Sequence, residues 1–330
     1  RQKCQLNMDK DLLRIRKVVE KEFAVFQQRF SDSLVADSKL IQDVVTFIKN
    51  KKGKQIRPML VLLSGKLCGE INENSWRSAV ALEMLHTASL LHDDVVDETL
   101  ERRGHQSVNA MFGNTTAVLV GDLLLTKSIQ PVLLCGSKSL EIFVNLGKRI
   151  AEGELLQLEK SFCLPSEADY FKIIQYKTAA LFSACLEMGA LAVGASNEKV
   201  EKLRIFGEYM GYCFQMKDDI FDYTSQAHIG KPILNDIREG KITLPLICAL
   251  DKATEQEQEE FGRFLEKQSV SDEMVAVIKK MVDKYDGCAM AARKMEEYAA
   301  KGREVLATFP DSVAKTALLD MLHYTMSRTN

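Results

Sequence analysis

The sequence is poor in residues that interrupt helices, and it lacks motifs typical of several other protein classes. Only six prolines and 18 glycines occur in 330 residues, which leaves room for helices of about 20 residues or more. The eight cysteines form no CxxC pair and lie in apolar segments, so we expect reduced core thiols. No run of roughly five basic residues occurs, and a net charge of −2 argues against nucleic-acid binding.

Long apolar runs are also missing. No stretch approaches the roughly 18 apolar residues of a membrane-spanning helix, and the first residues do not form an apolar signal segment. The sequence therefore predicts a soluble, cytoplasmic protein without a transmembrane segment.

Helical periodicity fills most of the chain. Leu12, Ile15, Val19 and Phe23 recur at helical spacing, while residues 75–100 are apolar on most sides, as in a buried helix. A second long helix is expected over residues 200–223. With no linker, short repeat or strand pattern, the sequence predicts one all-α domain over residues 1–330.

Two acidic clusters share the form DDxxD and lie toward the C-terminal ends of these two helices. They comprise Asp93, Asp94 and Asp97 in the first and Asp218, Asp219 and Asp222 in the second. Residues i and i+4 share a helix face and i+3 lies beside it, so each cluster directs two or three carboxylates into one space. Such charges repel unless a cation lies between them. Dense carboxylate oxygens suit Mg²⁺, which keeps several waters and is usually shared with substrate phosphates.

Basic residues accompany the acidic clusters and suit phosphate binding. They are Lys54, Arg57, Arg102, Arg103, Lys177, Lys231 and Lys241. Arginine binds phosphate oxygens through a planar fork and lysine supplies a mobile point charge, so together they suit a diphosphate. If they line one cavity, that cavity holds two phosphorylated ends, one bridged to the aspartates through metal and the other held directly.

Five ordered motifs carry a resemblance to a known family. They read GKQIRP at 53–58, HTASLLHDDVVDETLERRG at 86–104, KTA at 177–179, FQMKDDIFDY at 214–223 and GKPILNDIREGKITLP at 230–245. The sequence resembles the trans-isoprenyl diphosphate synthases over nearly its whole length, and most of all the long-chain, octaprenyl-type members. The resemblance implies one large helical bundle of the isoprenoid synthase type around a central active-site cavity.

The resemblance also implies roles for individual residues. The six aspartates would bind Mg²⁺, with three ions expected once diphosphate is bound. The residues expected to hold or polarise the allylic primer are Arg102, Lys177, Gln215, Lys231 and Lys241. Thr178 and Gln215 would place dipoles near developing positive charge. The pocket for isopentenyl diphosphate, which binds without metal, would comprise Lys54, Arg57, His86 and Arg103.

The chemistry implied is the ionisation of an allylic diphosphate, with farnesyl diphosphate as the expected primer. The alkene of isopentenyl diphosphate then attacks, a proton leaves, and the chain is five carbons longer. We expect a long all-trans product for quinone side chains, a homodimer, and product release at a membrane surface.

Product length depends on the residues before the first cluster. In the family, bulky side chains four and five residues before this motif close the product tunnel early, and here those positions hold Ser89 and Ala88. Two small side chains favour a long product, although close helix packing would also explain them. Candidates for the tunnel floor are Met111, Phe112, Leu123 and Leu124.

Four alternatives stay open at this point. A shorter, geranylgeranyl-type synthase would share every motif. A class I terpene cyclase also uses DDxxD, but Lys54, Arg57 and Arg103 then have no second substrate to bind. A histidine-aspartate phosphohydrolase could be read into His86 and His92, yet it leaves the second cluster unexplained. A noncatalytic subunit of a synthase pair would typically lose one aspartate cluster, and both are intact.

Overall fold

The structure is a computed structural model that describes residues 10–36, 38–50, 53–102, 104–163, 166–224, 234–267 and 270–328. Within these ranges the chain is almost entirely helical, which confirms the all-α fold class. The sole sheet among them is a two-stranded antiparallel hairpin that joins Glu101–Arg102 (β1) to His105–Gln106 (β2).

The helices are numbered in chain order. The first eight are α1 (Lys10–Lys17), α2 (Glu20–Ser33), α3 (Lys39–Asn50), α4 (Ile56–Cys68), α5 (Glu73–Val96), α6 (Val108–Phe112), α7 (Asn114–Leu133) and α8 (Ser137–Lys160). The remainder are α9 (Glu167–Ile174), a π-helical turn (Gln175–Ala179), α10 (Ala180–Ala192), α11 (Asn197–Thr224), α12 (Asn235–Arg238), α13 (Leu244–Leu250), α14 (Glu255–Glu266), α15 (Asp272–Lys284), α16 (Gly287–Ala307) and α17 (Val313–Ser327).

The helices form two compact units, and each unit contains one acidic cluster. The first unit comprises the described residues of Arg1–Gly147, Phe182–Arg204 and Phe309–Met321. The second comprises those of Lys148–Leu181, Ile205–Thr308 and Leu322–Asn330. The single domain predicted from the sequence stays a prediction.

Helix α5 is the central helix of the first unit. It begins with a capping box, in which Asn72 accepts from the backbone N–H of Ser75 while the Ser75 hydroxyl accepts from the N–H of Asn72. Its middle is buried on most sides, and it packs against α2, α4 and α7. The sequence predicted this buried helix but extended it to residue 100. It ends at Val96 because Asp97 leaves helical geometry and Glu98 has φ +49°.

The core of the second unit lies between α13, α15 and α16. Helix α13 is buried along its length, and Leu246, Ile278 and Val282 are among the apolar side chains that meet there. Tyr223, at the end of the second long helix, belongs to the same apolar cluster. The residues just after the second acidic cluster are therefore anchored in a packed core.

Helix α7 qualifies the expectation of no membrane-spanning segment. Asn114–Leu133 is long and apolar enough to span a membrane by length and composition, with a mean hydropathy of 1.3 and 33% of its window buried. One such helix is weak evidence for a span, because helices of other kinds pass the same test of length and composition. Helix α7 packs along α5. Pro131 lies inside α7, and the helix ends two residues later.

Candidate active site

The first acidic cluster lies at the C-terminal end of α5. Asp93 and Asp94 occupy its last turn, and Asp97 follows its last residue, with its N–H donating to the carbonyl oxygen of Asp93 at 2.8 Å. The C-terminal end of a helix carries partial negative charge, the same sign as these carboxylates. The helix dipole therefore adds to the repulsion among the three carboxylates. A cation at this end of the helix would offset both unfavourable effects.

Arg102 supplies one such positive charge in the first unit. Its Nε donates to Oδ1 of Asp94 at 2.6 Å, and the Asp94 side chain is buried, whereas about a third of the Arg102 side chain is exposed. The contact is made from β1, the first strand of the hairpin that follows α5. Asn109 fixes the same region by donating to the backbone oxygen of Asp94 at 3.0 Å. The neighbouring Arg103 lies outside the described residues.

The π-helical turn carries Lys177 and Thr178 in the second unit. A Cβ built on Gly211 would lie 2.8 Å from Cβ of Ala179, so glycine at 211 permits α11 to approach this turn closely. Thr178 then donates its hydroxyl proton to Oε1 of Gln215 at 2.7 Å. Single π-helical turns occur frequently at functional sites, because they reorient side chains within a helix.

Lys177 is held by side chains of α8. Its ammonium pairs with the carboxylate of Glu154 and donates to Oε1 of Gln157 at 3.1 Å. Gly153 makes room for this arrangement, since a Cβ there would lie 2.9 Å from Cγ of Lys177. Glu154 is therefore the ionic partner of a predicted primer-binding lysine.

The three aspartates of the second cluster have three different surroundings. Asp218 is 41% exposed and pairs with the Arg328 guanidinium at 2.7 Å. Asp219 is 1% exposed, and both its oxygens accept hydrogen bonds, from Tyr170 at 2.6 Å and from Gln215 at 2.9 Å.

Asp222 caps the short helix that follows the cluster. Its two oxygens accept from the backbone N–H groups of Asn235 at 3.1 Å and Asp236 at 3.2 Å, which are the first residues of α12. A carboxylate at a helix N-terminus satisfies donors that have no partner within the helix. The same carboxylate therefore joins the second cluster to the start of α12.

Burial strongly affects two carboxyl groups in this unit. It raises the pKa of Asp219 to about 7, against the opposing effect of the hydrogen bonds from Tyr170 and Gln215. Burial, with the charges of Asp222 and Asp219, raises the pKa of Asp236 to about 8, while Lys241 acts in the opposite direction. Concentrated negative charge in a poorly solvated region is a setting in which a divalent cation binds favourably.

Lys241 projects from a loop that is held tightly on both sides. Its ammonium pairs with Glu239 at 2.6 Å, and its backbone N–H donates to the carbonyl oxygen of Asp236 at 2.8 Å. Gly240 has φ +73° and lies against Phe162, which itself has φ +55° and donates its N–H to the Gly240 oxygen at 3.1 Å. Lys231, the other predicted lysine of this motif, lies outside the described residues.

The described residues predicted to bind isopentenyl diphosphate all belong to the first unit. Lys54 precedes α4, Arg57 lies in its first turn, and His86 lies in the middle of α5. Gln55 has φ +49° where the chain enters α4, and the Arg57 guanidinium lies 5.7 Å from the ring centroid of Phe182. All three predicted side chains are half-buried, so they combine partial access with fixed positions.

The chain-length candidates occupy different depths. Ala88 is buried and Ser89 half-buried, with the Ser89 hydroxyl donating to the carbonyl oxygen of His86 at 2.9 Å. Among the floor candidates, Phe112 packs edge-on against Phe47 and Met111 is 48% exposed. Leu123 is half-buried and Leu124 is buried. The tunnel itself stays a prediction.

Magnesium fits the donor set better than a metal that binds histidine or cysteine. Each cluster offers only carboxylate oxygens, the ligands that hard cations prefer. In the described ranges no three His, Cys, Asp or Glu residues converge closely enough to enclose a metal by themselves. That agrees with Mg²⁺, which usually takes one or two carboxylates and completes its shell with water and substrate phosphate.

Sequence reasoning missed three side chains that organise the second unit. Tyr170 binds Asp219, Phe162 supports Gly240, and Arg328 binds Asp218. Tyr170 precedes Lys177 by about two helical turns, a spacing that could have suggested a shared face. No helical spacing indicated the contacts of Phe162 and Arg328.

Comparison with known proteins agrees with these motifs. A family model described as polyprenyl synthetase matches residues 38–283. The octaprenyl diphosphate synthase of Haemophilus influenzae is 33% identical over 320 residues, 95% of this chain and 96% of that protein. The crystal structure of a Caulobacter crescentus polyprenyl synthase, complexed with calcium and isoprenyl diphosphate, matches with a TM-score of 0.90 at 33% identity, covering 97% of this chain and 98% of that one. A geranylgeranyl pyrophosphate synthase from Bacteroides thetaiotaomicron matches with a TM-score of 0.83 at 36% identity, covering 96% and 99%.

The chain belongs to the polyprenyl synthetase family, and it is a trans-prenyltransferase. This confirms the predicted family and removes the phosphohydrolase alternative. His92, on which that alternative partly depended, instead pairs with Asp122 of α7 at 3.2 Å and lies against Gly121.

Proposed function

We propose that this protein condenses isopentenyl diphosphate with an allylic diphosphate to make a long-chain, all-trans polyprenyl diphosphate, with farnesyl diphosphate as primer. The observation that carries the proposal is the hydrogen-bonded line from Thr178 through Gln215 to Asp219. It joins residues of the KTA and FQMKDDIFDY motifs, which the sequence separates by more than 30 positions.

Two kinds of group in this chain are proposed to assist the reaction, namely charged side chains and side-chain oxygen dipoles. The aspartates of each cluster are proposed to hold Mg²⁺, which would neutralise the charge that develops on the departing diphosphate. Arg102, Lys177, Lys231 and Lys241 are each proposed to add fixed positive charge that favours departure of the diphosphate. Thr178 and Gln215 supply oxygen dipoles that stabilise the allylic cation.

Lys54, Arg57, His86 and Arg103 are proposed to hold the diphosphate of isopentenyl diphosphate without metal. Arginine and lysine serve this role because a charge-assisted hydrogen bond to phosphate is about twice as strong as a neutral one. The departing diphosphate accepts the proton that is lost after attack, so the chain needs no dedicated base.

Small side chains before the first cluster support a long product. Ala88 is buried on α5, and Ser89 has its hydroxyl turned back onto its own helix, so neither residue adds bulk beside α5. A geranylgeranyl-length product is the second candidate, since a geranylgeranyl synthase is among the similar structures.

One assay tests both candidates. Radiolabelled isopentenyl diphosphate is incubated with farnesyl or geranyl diphosphate and Mg²⁺, and dephosphorylated products are resolved by length. A ladder that extends well beyond geranylgeraniol is the expected result. Termination at geranylgeraniol would keep the chemistry and overturn the long product. Absence of incorporation with every primer would favour a terpene cyclase or a noncatalytic subunit.

A homodimer is proposed from an exposed apolar stripe on α7. Val118, Leu119, Ile129 and Leu133 are exposed, and helical geometry puts them within an arc of about 100° along about 22 Å of helix. Pairing with a second copy of this stripe would bury it. Light scattering should report a dimer, and Leu119→Glu should shift it toward monomer. A wild-type monomer at micromolar concentration would overturn the proposal.

We propose a soluble, cytoplasmic enzyme that releases its apolar product at a membrane surface. A long polyprenyl chain is costly to transfer into water, so product release should limit the steady-state rate. Mild detergent is expected to raise the steady-state rate without changing the first turnover. An unchanged steady-state rate would count against slow release.

A further inference from the structure

We propose that Tyr170 is a positioning residue for prenyl transfer, which acts by fixing the orientation of the Gln215 amide and, through it, the Thr178 hydroxyl. The proposal rests on the prenyltransferase function and on a line of hydrogen bonds inside the second unit. Tyr170 lies at one end of that line and Thr178 at the other.

The first step is the contact between Tyr170 and Asp219. The tyrosine is buried on α9, and its hydroxyl donates to Oδ2 of Asp219 at 2.6 Å. The other carboxylate oxygen, Oδ1, accepts from Nε2 of Gln215 at 2.9 Å. Asp219 is 1% exposed, so water has almost no access to replace either donor.

The second step is the orientation of the amide. Oδ1 of Asp219 accepts from Nε2 of Gln215, so the Gln215 group that faces Asp219 is the NH₂. The carbonyl oxygen therefore faces Thr178, where it accepts the hydroxyl proton at 2.7 Å. Rotation of the amide by 180° would place two acceptors against each other at the Asp219 end, which is unfavourable in a buried site.

The third step concerns the threonine oxygen. Its only proton is committed to Gln215, so the remaining surface of Oγ1 presents lone pairs. Lone pairs stabilise positive charge, whereas a hydroxyl proton directed at a carbocation would oppose it. The threonine as a whole is half-buried. Through Asp219 and Gln215, a donor at Tyr170 thus favours the orientation in which Thr178 offers the oxygen end of its hydroxyl dipole.

The chain arranges this line from one continuous segment. Helix α9 runs directly into the π-helical turn, so Tyr170 and Thr178 are carried by the same stretch and contact α11 at Asp219 and Gln215. The ring of Phe171 meets that of Tyr170 edge-on at 5.3 Å, which restrains the tyrosine from the side. Such a short, buried connection can transmit the loss of one donor without rearranging the fold.

The test is Tyr170→Phe, compared with Tyr212→Phe. Both substitutions remove one hydroxyl from a buried ring that donates to a carboxylate on α11, since Tyr212 donates to Oε1 of Glu208 at 3.0 Å. Melting temperature, kcat and KM for each substrate are measured for both. We expect Tyr170→Phe to lower kcat about tenfold and to leave KM for isopentenyl diphosphate unchanged. Tyr212→Phe should change kcat less than twofold. Both variants should lose a similar amount in melting temperature.

A double substitution shows whether the effect travels along the line. Thr178→Val removes the far end, and if Tyr170 acts through it, adding Tyr170→Phe to Thr178→Val should lower kcat by less than twofold more. Independent, multiplying effects would overturn the proposal. So would equal kinetics of the two tyrosine variants, or failure of Tyr170→Phe alone to fold, since either result would assign the hydroxyl to stability. An inactive wild-type enzyme would count against the prenyltransferase function instead.

Discussion

The two DDxxD clusters have the same spacing, yet the structure surrounds them differently. In the first unit, Asp94 is neutralised by Arg102, a charged partner from the hairpin that follows the helix. In the second, Asp219 is held by uncharged donors, Tyr170 and Gln215, inside a buried site. The sequence spacing therefore determines which helix positions carry carboxylates. The surrounding side chains determine how much of the negative charge of each carboxylate is already neutralised or hydrogen-bonded.

That contrast also holds within the second cluster. Asp219 already uses both oxygens and is buried, whereas Asp218 is 41% exposed and has a cationic partner, Arg328, that a metal ion could displace. A motif of three identical residues thus contains one accessible carboxylate and one structural carboxylate. The predictions below test this division, in order of decreasing effect.

The largest effect is expected when Asp218→Asn is compared with Asp219→Asn. Asp218→Asn should lower kcat by roughly 10²- to 10³-fold and raise the Mg²⁺ concentration needed for half-maximal activity, because it removes charge that faces the ion. Asp219→Asn should lower kcat through the Gln215 contact while changing the Mg²⁺ requirement little. If both variants raise the Mg²⁺ concentration needed for half-maximal activity by the same factor, the two aspartates contribute equally to metal binding.

The first cluster is tested at its charged partner. Arg102→Lys should lower kcat about tenfold or more, because lysine keeps the charge but cannot present a planar fork to both Asp94 and a phosphate. Its matched control is Arg29→Lys, since Arg29 makes a bidentate pair with Glu73 in the same unit, outside both clusters. If Arg102→Lys has the same kcat as the control variant, Arg102 is not part of the active site.

Much of this arrangement was predictable from sequence, and the remainder has physical reasons. Helical periodicity and the DDxxD spacing placed Asp93 and Asp218 near the ends of two buried helices, as observed. The end of α5 was misplaced because Glu98 adopts φ +49°, a backbone conformation that no side-chain pattern announces. The π-helical turn was missed because it depends on α11 approaching closely at Gly211. Pairings such as Tyr170 with Asp219 are tertiary contacts, so periodicity cannot specify them.

Gly240 tests how firmly Lys241 is positioned. Gly240→Ala should destabilise the fold by about 2 kcal/mol and lower kcat, because φ is +73° and the new Cβ would lie 2.5 Å from Cε2 of Phe162. Gly262→Ala is the matched control, since its Cβ would meet nothing within 4 Å on α14, and about 1 kcal/mol of stabilisation is expected. Denaturant unfolding measures both. An unaffected Gly240→Ala enzyme would show that the loop adapts without moving Lys241.

The smallest effect concerns the charge concentrated beside the second cluster, and it depends on pH. The pKa of Asp236 is raised to about 8, above its value near 3.9 in an unfolded chain, so the folded state holds the proton more tightly. Its contribution to stability is therefore complete below about pH 4 and is lost as pH rises toward 8.

Asp236→Asn cannot ionise, so in the presence of a chelator it should melt higher than the wild type at pH 8, by a few degrees, with a smaller difference at pH 6. Added Mg²⁺ should narrow the gap at pH 8, because the ion offsets the same negative charge that the substitution removes. If the difference in melting temperature between the two proteins does not change with pH, the effect comes from side-chain packing. Concentrated negative charge would then matter less to the second cluster than its contrast with the first cluster implies.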